Sequence, residues 1–418
     1  MSTQQKSYVL PMIIIAALFF IFGFVTWLNS VLIPFLRQAC ELTDFQAYLV
    51  TFAFYISYFV MAIPSSVILK KTGYAKGMSI GLGVMAAGSL IFIPGAILRS
   101  YPVFLLGLFV QATGMTLLQT ASNPYITILG PIESAAKRIS IVGICNKIAG
   151  MIGILILVEL LFSDTKAVSE RISMLSGDAL TTELDALAAR VIVPYVIMAA
   201  VLAGLALMIL KAHLPEVNQE DAEEGTVDDT IGKSSVFDFP HLILGVICIF
   251  AYVGVEVIAI DTIGLFGQYM GFDLNVASKF GIYSLIALTI GYLLGIVVIP
   301  KYLKQRNALI ICSTVGFLFA IAALLTQGTA AIIFIILLSL AHALMWPSIW
   351  PLAIDRLGPF TKTGSALLIM GICGGALIPL VYGALADSSN RHSAYWILLP
   401  CYVYILYFAI KGHRVGRA

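Results

Sequence analysis

Apolar residues run through this chain in long blocks separated by short polar connections. Twelve blocks fall near 8–36, 45–70, 77–98, 101–129, 138–162, 190–210, 239–270, 276–300, 308–326, 329–355, 362–385 and 393–411. A helix that crosses a bilayer needs about 20 mostly apolar residues, so each block predicts one spanning helix. The short alternating strands of an outer-membrane barrel do not occur. The first block carries Trp27 and Asn29 and no small-residue cleavage site follows it, so it predicts a retained span and not a signal peptide.

An even number of spans puts both termini on one side. Sixteen of the 24 lysines and arginines fall on that side and seven on the other, with Lys147 inside span 5. Positive charge marks the cytoplasmic face, so both termini are expected inside. The internal segment 211–238 carries Glu216, Glu220, Asp221, Glu223, Glu224, Asp228 and Asp229 and reads as a solvated tether. It divides the chain into a six-helix bundle at 1–210, an acidic linker at 211–238 and a second six-helix bundle at 239–418. On the opposite side, Leu180 to Arg190 predicts a short surface helix.

The halves also repeat. Leu129-Gly130-Pro131 returns as Leu357-Gly358-Pro359, and Ile141-Val142-Gly143-Ile144-Cys145 as Ile369-Met370-Gly371-Ile372-Cys373, both after 228 residues. Both halves start on the same side, so the repeats are parallel. Spans 3, 6, 9 and 12 lack charged residues in their cores and are expected to be lipid-facing supports. The fold class is therefore an all-α membrane protein of twelve helices in two parallel six-helix pseudo-repeats.

Composition narrows the chemistry. Of 418 residues, 60% are hydrophobic and 11% charged, and mean hydropathy is +0.99. A soluble globule of this composition would expose large apolar patches, and a disordered chain or disulfide scaffold is excluded. Net charge is +2 with no long basic block, which excludes a nucleic-acid partner. The six cysteines are scattered and make no CxxC or Cys/His cluster, so no metal site is readable. No nucleophile or acid/base constellation of an enzyme is visible.

Polar side chains inside spans normally face a bundle interior or a wet cavity. Asn29 and Ser30 on span 1, Tyr55 on span 2, Gln119 and Asn123 on span 4, Asn146 on span 5 and Trp346 on span 10 are candidate contacts to a bound molecule. They are carboxamides, hydroxyls and aromatic faces, which suit a neutral polyol: amides supply paired donors and acceptors, and rings pack on the apolar face of a sugar. The same polar residues also serve as glue between helices. Three buried charges stand out, Lys147 in span 5 with Glu256 and Asp261 in span 7. Each charge at mid-bilayer costs about 2.5–3.5 kcal/mol on insertion scales. Glu256 reads as a proton carrier, a sodium ligand or a partner of Lys147; Asp261 lies nearer the outer surface on another face.

The strings FFIFGFVTWLNSVLIPFL (19–36), FQAYLVTFAFYISYFVMAIPSS (45–66), KKTGYAKG (70–77), LLQTASNPYITILGPIESAAKRIS (117–140) and GICNKIAG (143–150) resemble the fucose–galactose–hexose permease branch of the major facilitator superfamily. YVGVEV (252–257) matches more loosely. Within that branch the chain looks most like bacterial glucose/galactose transporters and N-acetylglucosamine permeases. The resemblance implies the major facilitator fold and cation-coupled sugar import across the inner membrane, with sugar contacts on spans 1, 4, 5 and 7. In the fucose permease pattern, span 1 reads Leu-Asn-Asp and span 4 reads Glu-Thr-Ala-Asn-Pro. Ser30 and Gln119 stand where those two acids would be, whereas Asn29 and Asn123 match. Coupling is therefore expected to move to Glu256, set by Lys147, with H+ or Na+ as the ion and no other cofactor. A monomer in the bilayer is expected. An exporter of amphipathic drugs on the same fold and a sugar sensor without transport are the competing readings.

Overall fold

In hydrocarbon no water is present to satisfy backbone N–H and C=O groups, so a helix, which pairs them internally, is the form an apolar block of this length takes. The computed structural model describes residues 9–128, 135–162, 164–211, 235–298 and 303–416, with side chains described outside 9–11, 123–140, 165–166, 359 and 362. Among the described residues, twelve helical segments are long and apolar enough to cross a membrane. They are span 1 (Met12–Ala39), span 2 (Asp44–Thr72), span 3 (Tyr74–Ile97), span 4 (Tyr101–Ser122), span 5 (Ile141–Phe162), span 6 (Asp178–Lys211), span 7 (Pro240–Asp261), span 8 (Leu274–Val298), span 9 (Gln305–Leu325), span 10 (Gly328–Ile354), span 11 (Thr363–Ser388) and span 12 (Ser393–Arg414). Most of linker 211–238, and the first Leu-Gly-Pro of the repeat, lie outside the described residues. The expected surface helix near 180–190 is present as Asp178–Ala189, preceded by a second, unforeseen one at Thr165–Met174.

Several spans are interrupted. Span 1 breaks at Leu28, between Val9–Trp27 and Asn29–Ala39. The expected block 239–270 is also not one helix: it breaks after Asp261, and Ile263–Tyr269 continues it. There the Thr262 hydroxyl bonds the Ile258 carbonyl and the Tyr395 hydroxyl, each at 2.7 Å. Span 11 passes through a 3-10 turn at Gly371–Cys373.

The halves meet in a reciprocal way. Span 2 packs on span 11, and span 5 on span 8. Under a six-span repeat, 2 corresponds to 8 and 5 to 11, so each contact is the image of the other. Within each half the same crossing recurs. A Cβ on Gly23 of span 1 would lie 1.8 Å from the backbone oxygen of Asn146 on span 5, and one on Gly374 of span 11 would lie 1.9 Å from that of Phe250 on span 7. Only glycine allows two helix backbones so close. Asn146 and Gly374 are themselves 228 positions apart, the sequence repeat distance.

Spans 6, 9 and 12 make their principal contacts inside their own half. Ile197, Leu207 and Leu318 point large apolar side chains outward. Span 3 also stays within its half but is more enclosed, because spans 4 and 6 both pack against it.

Candidate functional site

The buried charges lie at the seam between the halves. Lys147 is buried, and its Nζ sits 4.4 Å from the ring centroid of Trp27. A cation over an indole face is held by the ring quadrupole. Trp27 is fixed in turn: its indole N–H donates to Asn146 Oδ1 at 3.2 Å, and Asn146 Nδ2 donates to the Phe19 carbonyl at 3.3 Å. Gly150 leaves the space that the Trp27 ring occupies. Asn146 therefore braces span 5 against span 1 and orients the aromatic floor beneath Lys147.

Across the seam, Glu256 of span 7 lies within electrostatic reach of Lys147 without closing to an ion pair among the described residues. Tyr252, one turn earlier, Tyr55 of span 2 and Tyr292 of span 8 lie within electrostatic reach of the same carboxylate. Glu256 keeps intermediate accessibility, whereas Lys147 and Asp261 are buried. The Lys147 position repeats as Gly375, and the Tyr55 ring packs into the notch that this glycine leaves, 3.0 Å from where a Cβ would be. One half sends a cation to the centre; the other makes room for a phenol.

Two walls extend the site. On the first half, Gln119 Nε2 donates to the Tyr58 hydroxyl at 3.1 Å, and the Tyr55 and Tyr58 rings stack at 6.2 Å. On the second, the Tyr252 ring meets His342 at 6.2 Å and Trp346 at 6.3 Å, and Trp346 stacks on Trp350 at 5.4 Å. His342 Nε2 shares a 2.7 Å hydrogen bond with the Tyr402 hydroxyl, which anchors that wall to span 12.

Other expected residues have different surroundings. The Ser30 hydroxyl donates to the Trp27 carbonyl at 2.8 Å, so it is spent on its own helix. Asn29 is buried at the start of the second segment of span 1, and neither carboxamide atom has a hydrogen-bond partner among the described residues. Asp261 is fully buried at the break of span 7, with both carboxylate oxygens likewise unpartnered, and lies within electrostatic reach of Tyr55. Ser30 and Ile260, the neighbours of these two residues, flank Gly281 at 3.5 and 3.7 Å from its Cβ position, so the two helix breaks adjoin. The Asn123 side chain lies outside the described residues. Sequence reasoning missed Tyr252 and Tyr292. Tyr252 carried a signal, since it precedes Glu256 by one helical turn; Tyr292 carried none beyond being aromatic in an apolar span.

The comparisons with known proteins agree with this architecture. The chain is 32% identical, over 99% of its length and 96% of the relative's, to a protein of Brucella abortus biovar 1 (strain 9-941) named glucose/galactose transporter. It is 29% identical, over 97% of its length and 94% of the relative's, to the L-fucose-proton symporter of Escherichia coli (strain K12). The crystal structure of a major facilitator transporter, FucP, in the outward conformation matches it with a TM-score of 0.73 at 28% identity, covering 97% of this chain and 99% of that one. These relatives are transporters and not enzymes. Residues 15–381 match the Major Facilitator Superfamily. This chain is a multi-pass bacterial membrane protein and belongs to the Major Facilitator Superfamily.

Proposed function

We propose that the protein imports a neutral monosaccharide, of the glucose/galactose or N-acetylglucosamine type, by cation symport across the inner membrane, as a monomer with both termini cytoplasmic. One observation carries this reading: Lys147 of the first half and Tyr252 of the second both lie within electrostatic reach of Glu256, with the Trp346 indole packed on Tyr252 and the Tyr55 phenol, stacked on the Gln119-bonded Tyr58, also within reach. Paired donors and acceptors beside flat apolar rings are the surfaces a sugar presents its hydroxyls and C–H face to. The near-full-length likeness to a protein named glucose/galactose transporter supports the same substrate class.

The units 1–210 and 239–418 act as two bodies rocking about this site, with 211–238 as the tether. Gln119, Tyr55, Asn29, Asn123 and Trp346 contact the sugar. Asn146 positions Trp27 and Lys147, and Ser30 stabilises the break in span 1. Glu256 carries the coupling ion, H+ or Na+, with Lys147 as the competing cation and Asp261 as a second acid on its route. The ion must bind one state of the carrier better than the other, since only differential affinity shifts a conformational equilibrium. One charge moving through 100 mV supplies about 2.3 kcal/mol, enough for roughly fiftyfold accumulation.

The test is counterflow in vesicles with a panel of labelled sugars at fixed pH, with and without sodium. Exchange of glucose, galactose or N-acetylglucosamine is expected. Ethidium efflux without sugar exchange would replace this reading with drug export, and sugar binding without exchange would replace it with sensing.

A further inference from the structure

At the end of the molecule opposite the termini, one aspartate is held by both halves at once. Asp44 opens span 2 and is buried. From its own half, Arg37 Nε donates to Asp44 Oδ1 at 2.7 Å. From the second half, Arg391 donates twice, Nε to Oδ2 at 2.6 Å and Nη2 to Oδ1 at 2.8 Å. The second half also accepts: Asp387 takes the backbone N–H of Asp44 at Oδ1 and that of Phe45 at Oδ2, each at 2.8 Å. Arg391 is steadied within its half, since its Nη1 donates to the Leu265 carbonyl at 3.1 Å and its own carbonyl accepts from the Tyr382 hydroxyl at 2.9 Å. The Tyr382 ring stands edge-on to Tyr48 of the first half at 5.4 Å. Gly383 permits the approach, because a Cβ there would lie 2.7 Å from the Tyr48 ring and 3.0 Å from the Asp44 carbonyl.

The charges balance within each half as well as between them. The first half contributes Arg37 and Asp44, seven positions apart; the second contributes Asp387 and Arg391, four apart. If the halves part, each acid still has a guanidinium on its own side. Charge-assisted hydrogen bonds of this kind are short and strong, and stripping one partner from a buried charge is costly. An arrangement with a replacement partner on each side avoids that cost.

We propose that Arg37, Asp44, Asp387 and Arg391 form a partner-exchange gate at this end of the carrier. In the closed state Arg391 grips Asp44, and Asp387 takes the two backbone N–H groups. On opening, Arg391 leaves Asp44 and pairs with Asp387, while Arg37 keeps Asp44. The inference rests on the two-body rocking given above and adds the residues that set its bias. The two arginines bound to the same aspartate act in opposite directions. Arg391 favours the closed state, because its bonds to Asp44 exist only there. Arg37 favours the open state, because it is then the last partner Asp44 has.

The test is the distance between nitroxide labels at Leu98 and Leu325, both highly exposed at this end, at the ends of spans 3 and 9 in opposite halves. It is measured by double electron–electron resonance in the full chain with its native cysteines replaced. Arg391→Gln is expected to raise the long-distance population about tenfold relative to the short one, from the loss of a charged hydrogen bond. Arg37→Gln is expected to lower it. Arg391→Lys, which keeps the charge, restores part of the closed population and shows that folding is intact. Shifts of the same sign for Arg37→Gln and Arg391→Gln overturn the gate and leave rocking standing. A distribution that no variant moves overturns both.

Discussion

Alanine at Gly23 tests the crossing that carries the site. Its Cβ would lie 1.8 Å from the Asn146 backbone oxygen, 2.5 Å from its carbonyl carbon and 2.7 Å from its Cα. All three are backbone atoms, so no side chain can swing aside; spans 1 and 5 must separate by more than an ångström. That separation also strains the Trp27–Asn146 hydrogen bond and moves Trp27 away from Lys147. Overpacking of this kind costs about 1–3 kcal/mol. Gly374→Ala meets the Phe250 backbone in the same way and is expected to cost a similar amount. Gly83 is the control: it is exposed on span 3, and a Cβ there meets nothing within 4 Å. Its alanine variant is expected to be neutral or stabilising by under about 1 kcal/mol. The assay is the unfolding midpoint of purified protein in one detergent, compared across the three variants. A midpoint for Gly23→Ala equal to that of Gly83→Ala would refute the close crossing and the placement of Lys147 that depends on it.

Other perturbations give separate readings. Gln119→Leu leaves the Tyr58 hydroxyl without its donor and removes a carboxamide from the proposed sugar site; half-saturation in counterflow is expected to rise about tenfold, the equivalent of one hydrogen bond to a polar ligand, while Gln119→Glu retains more affinity. His342→Phe orphans the buried Tyr402 hydroxyl and is expected to cost about 1–3 kcal/mol in the unfolding midpoint. The Asp164 carboxyl is held below the usual carboxylate range, first by the hydrogen bond from Arg190, despite some opposition from burial. Its contribution is therefore present above the unfolded value and lost as pH falls through the folded one. Because the pair is largely solvent-screened, the midpoint difference between wild type and Asp164→Asn is expected to be under about 1 kcal/mol at neutral pH and to vanish in acid.

The fold was legible because lipid enforces a simple rule. Blocks long enough to cross it must be helices, and an acidic run with a 228-residue repeat divides them into two sets. Lys147 and Glu256 were legible for the same reason, since charge in an apolar block is costly and therefore conspicuous. The breaks at Leu28 and Thr262 were not. Neither position is a proline or glycine; the break at Thr262 is held by a tertiary contact with Tyr395, and at Leu28 the Ser30 hydroxyl bonds the Trp27 carbonyl. Asn146 looked like a ligand contact, and only packing revealed that both ends of its carboxamide brace span 5 to span 1. The Asp44–Arg391 pair joins residues 347 positions apart. Each sits in ordinary charged loop surroundings, where nothing local distinguishes a cross-half bond from a solvated side chain.

The proposed transport cycle takes its energy input at Glu256. The direct measurement is uptake of labelled galactose into vesicles by Glu256→Gln, under an imposed ion gradient and, separately, as counterflow without one. Gradient-driven accumulation is expected to disappear while counterflow persists. Full accumulation by the variant would place coupling elsewhere than Glu256.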